Sequence, residues 1–158
     1  MEAVIFMFCL TLHNAEEAIW LTDWTKKNLP GRRNPAKNAH FVFATIAVTA
    51  LGYLAAGLFL LFPGNRCFEA IWIGFVGAML INAVMPHLLL TIRFKKYCPG
   101  TFTGCFLIIP LHFIILRSAA SSHLSIGEIT LFTLVVGLSL LGAIPVFMGV
   151  AKKILDVE

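Results

Sequence analysis

The chain has 158 residues, of which 59% are hydrophobic and 13% are charged, and its mean hydropathy is +0.88. A soluble globular domain carries about a quarter charged residues and a disordered segment has low hydrophobicity, so the composition excludes both classes. The formal charge of +4 fits basic loops at a membrane surface, and we expect no nucleic-acid partner.

Long apolar runs predict an all-α polytopic membrane helix bundle, because about 20 helical residues are needed to cross the hydrocarbon core of a bilayer. In chain order, the five predicted spans cover residues 3–22, 40–62, 69–92, 101–117 and 128–150. The connecting segments are short, so we expect a single transmembrane domain over residues 1–158.

The basic residues predict the orientation of these spans. Alternating the five spans leaves only Arg66 and Arg117 on one side, out of twelve Lys and Arg in all. The other side receives Lys26, Lys27, Arg32, Arg33, Lys37, Arg93, Lys95, Lys96, Lys152 and Lys153. Positive charge stays cytoplasmic, so we expect the N-terminus outside and the C-terminus inside. Part of this charge lies in a basic linker over residues 28–38, which also contains Pro30, Gly31 and Pro35.

The first span carries three ionisable residues, His13, Glu16 and Glu17. At about 100° per residue, positions i, i+3 and i+4 share one face of a helix. Ionisable groups inside a span are costly and are therefore usually functional. This spacing suits metal ligation, as in helix-bundle di-iron sites, or a general base beside a hydrogen-bonding partner. The alternative is a helix end at the interface, with both carboxylates in water.

The third and fourth spans carry polar residues beside prolines. Pro86 cannot donate a hydrogen bond to the carbonyl of Asn82, so we expect the third helix to break just before His87. An unbroken helix would place Asn82 and His87 about 140° apart, and the break can reduce this angle. The fourth span repeats the pattern with Pro110 and His112. Interhelical hydrogen bonding remains open for Asn82 and His87, and simple packing remains open for His112.

The depths of these residues along their helices place all of them in the cytoplasmic half of the membrane. At about 1.5 Å per residue, a shallow group lies about 9–10 Å from the cytoplasmic helix ends and a deep group about 15 Å. The shallow group is Glu16, Glu17 and His87, and the deep group is His13, Asn82 and His112. Carboxylates and imidazoles together in a low-dielectric pocket need compensation, which a divalent cation supplies.

The candidate residues therefore divide into two overlapping sets. The candidate metal ligands are His13, Glu16, Glu17, His87 and His112, and this donor set suits zinc or non-haem iron or manganese. The candidate catalytic residues are Glu16, Glu17 and Asn82. His40, where the second span begins, is expected at the level of the lipid headgroups.

Three motifs, in order, resemble the signatures of the HXXEE-domain family of small, mostly bacterial integral membrane proteins. They are His13-Asn14-Ala15-Glu16-Glu17, Asn82-Ala83 followed by His87, and Pro99-Gly100-Thr101-Phe102-Thr103. The resemblance implies an integral membrane protein of the bacterial inner membrane that is suspected of being an enzyme. The family's motif positions fall on His13, Glu16, Glu17, Asn82, His87, Pro99, Gly100 and Thr103.

We expect a membrane-embedded, metal-dependent hydrolase whose amphiphilic or lipid-like substrate enters from the cytoplasmic leaflet. One glutamate takes a proton from the attacking water, while Asn82 completes the metal shell or donates to a developing oxyanion. Other hypotheses are a metal-independent glutamate-type intramembrane hydrolase, a di-metal lipid oxidoreductase, and a small proton or metal transporter component. Assembly as a homo-oligomer stays open.

Overall fold

The structure, a computed structural model, describes residues 1–29 and 38–156 and contains no strand in those ranges. Five helices are long and apolar enough to cross a membrane, which confirms the predicted all-α class and helix count. They are α1 (Glu2–Asn28), α2 (Asn38–Leu61), α3 (Arg66–Phe94), α4 (Thr101–Ser122) and α5 (Ile126–Leu155). The linker residues Pro30, Gly31, Arg32, Arg33, Pro35 and Lys37 lie outside the described residues.

Two of the helices begin with capping side chains. Asn65 accepts hydrogen bonds from the backbone N–H groups of Cys67 and Phe68 at the start of α3. Ser125 and Glu128 form a reciprocal capping box at the start of α5. These contacts satisfy N–H groups that have no partner inside a helix, and they explain where both helices start.

Helix α3 lies at the centre of the bundle and packs against α2, α4 and α5. Half of its most apolar segment is buried, compared with 6% in α5, so α5 presents most of its surface outward. The contact between α3 and α5 is close because α3 carries glycines there. A Cβ atom at Gly74 would lie 2.5 Å from the carbonyl oxygen of Phe132, and one at Gly77 would lie 1.9 Å from Oγ1 of Thr133.

Helix α3 is interrupted at Ala83–Leu88, where wide π-helical turns replace the regular α-helix. Within this segment, Met85 adopts the non-helical dihedral angles φ −127° and ψ 110° directly before Pro86. The predicted break at Pro86 is therefore confirmed. A second π-helical segment, Gly104–Ile108, lies in α4. Both irregular segments are next to the polar residues described below.

Candidate metal centre

The carboxylate of Glu17 is the point at which the polar residues of α1 and α3 meet. Its Oε1 atom lies 2.6 Å from Nε2 of His87 and 3.1 Å from Nε2 of His13. The same oxygen accepts a hydrogen bond of 3.0 Å from Nδ2 of Asn82. His13 and His87 are 0% and 1% exposed, so the centre is closed to solvent on the imidazole side.

Two local features of the backbone bring these side chains together. His13 and Glu17 are four residues apart and lie one above the other on α1. On α3, the break at Ala83–Leu88 turns His87 back, so that its Nε2 lies 3.4 Å from Nδ2 of Asn82. A regular helix would separate these two side chains by about 140°. The proline break is therefore what allows one helix to supply both residues.

Gly100 packs directly against the ring of His87. It has φ +93°, and a Cβ atom built on it would lie 2.6 Å from Nδ1 and 2.7 Å from Cε1 of that ring. Any larger residue would therefore be strained in its own backbone and would also displace the imidazole. This contact gives the glycine of the third motif a physical role next to the histidine of the second.

The carboxylate of Glu16 contacts the start of α4 and not the residues around Glu17. Its Oε1 accepts from the backbone N–H of Gly100 at 2.7 Å and from the hydroxyl of Tyr97. Its Oε2 accepts from the backbone N–H of Thr103 at 3.0 Å and from Oγ1 of Thr103 at 2.6 Å. Glu16 thus caps the N-terminus of α4 from a neighbouring helix, where free N–H groups and the helix dipole favour an anion.

The structure does not bring Glu16 or His112 into the group around Glu17. Consecutive residues on a helix point about 100° apart, so Glu16 faces α4 while Glu17 faces α3. His112 is fully buried at a ring-centroid distance of 5.5 Å from Phe6, and neither of its ring nitrogens has a hydrogen-bond partner among the described residues. His40 also lies elsewhere and contacts Asp156 at 3.2 Å.

The residues that the structure does bring together form a set of potential metal ligands. One ligand atom from each of His13, Glu17 and His87 lies within 4.8 Å of the other two. Two imidazoles and a carboxylate are the donor set of several catalytic zinc sites and of non-haem iron sites.

The environment of Asn82 also fits a cation. Its NH₂ group carries two protons but faces three potential acceptors, Oε1 of Glu17 and the Nε2 atoms of His13 and His87. In the reverse amide orientation Oδ1 would face the same point, and it would complete a set of four donors around a divalent ion.

A cavity of about 260 Å³ opens beside this centre, between α1, α2, α3 and α5. Asn14, Glu17 and Asn82 form its polar end, and Thr45 and Thr133 add hydroxyl groups. The remaining lining is apolar and includes Phe41, Met79, Leu134 and Leu141. An apolar cavity with a few convergent polar groups is typical of a small-molecule site.

Sequence reasoning missed the links that join the third motif to the first. The hydroxyls of Thr103 and Tyr97 both contact Glu16, and Thr103 also contacts His13. A usable signal existed, because an acidic residue buried in one helix needs several donors and the N-terminus of a neighbouring helix supplies them. The cavity was missed as well, since its small lining residues Ala44, Ala78 and Gly137 have no distinctive spacing.

Comparisons with known proteins agree with these motifs. The sequence matches the family described as "Protein of unknown function with HXXEE motif" over residues 4–115. It is 41% identical over 150 residues to "Uncharacterized protein YrkK" of Bacillus subtilis (strain 168), covering 94% of each chain. No solved structure is significantly similar to it.

Proposed function

The chain belongs to the HXXEE family, and we propose that it is a membrane-embedded, metal-dependent hydrolase built as a single domain of five spans. His13, Glu17 and His87 hold a divalent ion, zinc or else iron or manganese. The observation that carries this proposal is the meeting of one carboxylate and two imidazoles within 4.8 Å, on two helices and largely out of water.

Each residue of the centre has a defined task in this mechanism. A bound divalent ion supplies positive charge that polarises a carbonyl or phosphoryl oxygen of the substrate. Glu17 presents Oε1 to the imidazoles. Its second oxygen takes a proton from the attacking water and returns it to the leaving group as the scissile bond breaks. Asn82 donates to the oxygen on which negative charge develops, or turns its own oxygen toward the ion. Glu16 is engaged with α4 and holds the scaffold instead of joining the reaction.

The cavity supports an amphiphilic substrate for the same enzyme. An acyl or isoprenoid chain would occupy the apolar part, and the bond to be cleaved would lie at the polar end next to Glu17 and Asn82. The clusters of Lys and Arg near the ends of α1, α3 and α5 support an N-terminus outside and a C-terminus inside. We propose that the protein lies in a bacterial inner membrane with its centre in the cytoplasmic half, and that substrate enters from the inner leaflet.

Metal analysis tests the proposal. Detergent-purified protein is stripped with chelator, reloaded separately with Zn²⁺, Mn²⁺ or anaerobic Fe²⁺, and measured by elemental analysis after removal of free metal. We expect about one ion per chain, lost in Glu17→Gln and retained in Glu69→Gln. Glu69 is the matched control because it also contacts a histidine, but at the other end of α3. Equal retention by both variants would contradict the proposal.

A hydrolysis assay completes the test. Protein in liposomes is given amphiphilic esters, amides and phosphoesters of several chain lengths, and product is measured before chelation, after chelation and after metal is restored. We expect turnover to be lost on chelation and regained with metal.

One observation favours a second candidate, a metal-independent glutamate-type hydrolase. Nε2 of His87 and Nδ2 of Asn82 already lie within hydrogen-bonding distance of Glu17, so the carboxylate can be held as a general base without an ion. Full turnover after thorough demetallation would support this candidate over the metal enzyme. Among residues 1–29 and 38–156 the potential ligand group contains a single carboxylate, which favours one ion over a di-metal oxidoreductase.

A further inference from the structure

A chain of hydrogen bonds connects the cap of α4 with the candidate metal centre. Oγ1 of Thr103 lies 2.6 Å from Oε2 of Glu16 and 2.9 Å from Nδ1 of His13. All three residues are buried, with exposed fractions between 0% and 8%. The opposite nitrogen of His13, Nε2, is the one that faces Glu17.

The positions of the protons along this chain follow from its donors and acceptors. Each oxygen of Glu16 already accepts a backbone N–H, and Oε1 also accepts from Tyr97, so the carboxylate acts as an acceptor throughout. The single hydroxyl proton of Thr103 therefore points to Glu16. Its oxygen is left to accept, and the only group that can donate to it from His13 is Nδ1–H.

We infer that Thr103 is a positioning residue, whose hydroxyl holds a proton on Nδ1 of His13 and thereby leaves Nε2 as the atom that can bind an ion. An imidazole ligand is set in this way when its second nitrogen donates to a fixed acceptor, which selects the tautomer and orients the ring. Glu16 acts one step further out, because it fixes the direction of the Thr103 hydroxyl. The part of this inference that concerns metal binding rests on the proposed function.

The inference explains why two motifs far apart in the chain occur together. His13 and Thr103 are 90 residues apart in sequence. The first motif supplies a ligand and an acid, and the third supplies a helix start that the acid caps and a hydroxyl that orients the ligand. Without the cap, the hydroxyl has no fixed direction. Without the hydroxyl, Nδ1 of His13 loses its acceptor.

The tautomer can be measured without any metal. Histidine labelled with ¹⁵N is incorporated into the full chain in lipid bilayers, and His13 is assigned among the five histidines by comparison with His13→Gln. We expect a proton on Nδ1 in the metal-free protein, and we expect that proton to move to Nε2, toward Glu17, in Thr103→Val. A metal-free natural protein with a bare Nδ1 would overturn the inference, whether or not the valine variant folds.

Zinc affinity provides the second measurement. Zn²⁺ is titrated into chelator-stripped natural protein, Thr103→Val, Thr103→Ser and Tyr97→Phe. Because removal of an outer hydrogen-bond partner weakens metal binding by roughly 10–100-fold, we expect that loss in the valine variant. The serine variant keeps the hydroxyl and should bind as the natural protein does. Tyr97→Phe removes a different donor to Glu16 and should change the affinity much less.

The outcomes separate the two proposals. Natural protein that binds no Zn²⁺ but carries its proton on Nδ1 would refute the metal enzyme and keep the role of Thr103. Zinc affinity that is unchanged in Thr103→Val, not restored in Thr103→Ser, or equally weak in Tyr97→Phe would overturn the role of Thr103 and leave the metal centre standing.

Discussion

Two pairs of histidine and glutamate, near opposite ends of α3, have almost the same contact distance and very different surroundings. His87 and Glu17 are 2.6 Å apart, and His123 and Glu69 are 2.5 Å apart. The side chain of His87 is 1% exposed, whereas that of His123 is 51% exposed. Contact distance therefore does not distinguish the two pairs, and neither does the exposure of the carboxylates, which is 12% for Glu17 and 14% for Glu69. The exposure of the imidazoles does distinguish them.

The two pairs also differ in how the charge of the carboxylate is compensated. Glu69 forms a salt bridge with Arg66, and Arg66 also contacts Glu128. His123 and Glu69, the outer pair, therefore belong to a solvated ion-pair network. Glu17 contacts two imidazoles and one amide. A carboxylate without a permanent cation beside it, in a dry site, favours the binding of an external one. His87 and Glu17, the inner pair, therefore belong to the candidate centre, and the outer pair is a surface contact.

The largest expected effect comes from a matched pair of glycines, one just before the start of α4 and one just before the start of α3. Gly100 and Gly64 both have positive φ, of +93° and +85°. An added methyl group at Gly100 meets the ring of His87, while at Gly64 it meets nothing within 4 Å. We expect Gly100→Ala to abolish zinc retention and to lower the free energy of unfolding by roughly 2–5 kcal/mol, from left-handed strain plus overpacking.

Gly64→Ala is the control for this prediction. Backbone strain alone should cost about 1–2 kcal/mol and leave zinc retention unchanged. Unfolding in detergent and elemental analysis measure the two quantities. If Gly100→Ala retains as much zinc as Gly64→Ala, close packing of Gly100 against His87 is not needed for zinc binding. The proposed difference between the two ends of α3 would then be contradicted.

A second contrast concerns the two glutamates that cap helices. Glu16 caps α4 in a buried position. The carboxylate of Glu128 accepts from the backbone N–H of Ser125 in the capping box of α5, and its side chain is 39% exposed. Because Glu16→Gln replaces one acceptor oxygen with an NH₂ group facing donors, buried N–H groups lose their partner at a cost of roughly 1–3 kcal/mol. Glu128→Gln should destabilise the protein less, since water replaces the lost contact. Urea unfolding followed by circular dichroism compares them, and equal losses would contradict the buried cap.

The sequence was sufficient to predict how far along each helix the polar residues lie. It was not sufficient to predict the direction in which their side chains point around the helix axis. The helical period put His13 and Glu17 on one face, the proline rule located the break before His87, and the rise per residue matched their depths. Depth says nothing about the direction of a side chain around the helix axis. His112 was therefore predicted to lie beside the other polar residues but packs against Phe6.

Glu16 illustrates the second limit of sequence reasoning. Its role depends on where α4 begins relative to α1, which is a tertiary relation between residues more than 80 positions apart. The spacing of His13, Glu16 and Glu17 indicates one polar face, but a face of about 100° is wide enough to contact two different neighbours. Which glutamate meets α3 and which meets α4 is decided by packing of the whole bundle.

A third test concerns the cavity beside Glu17 and asks whether a lipid acyl chain occupies it. Gly137 lines the cavity, and Gly142, on the same helix, does not. A leucine at position 137 would fill space beside Ala78, whereas nothing lies within 4 Å of a Cβ atom at Gly142. In liposomes with a photoreactive acyl-chain lipid, we expect Gly137→Leu to reduce labelling of cavity residues about tenfold, equivalent to about 1.4 kcal/mol. Gly142→Leu should leave labelling unchanged, and equal labelling of both variants would place the acyl chain elsewhere.

The smallest expected effect concerns Tyr97, which lies between α3 and α4 at the edge of the inner centre. Its partial withdrawal from water and its hydrogen bond to Glu16 raise the pKa of Tyr97 to about 12. A raised pKa in the folded state stabilises the protein below the unfolded value near 10, and that contribution is lost as the pH rises from about 10 to 12. Tyr97→Phe should therefore flatten the dependence of stability on pH in this window. Because the residue is 54% exposed, solvent screening keeps the change small. Absorbance at alkaline pH measures the titration directly, and a Tyr97 that ionises near 10 would show that its hydroxyl does not reach the cap of α4.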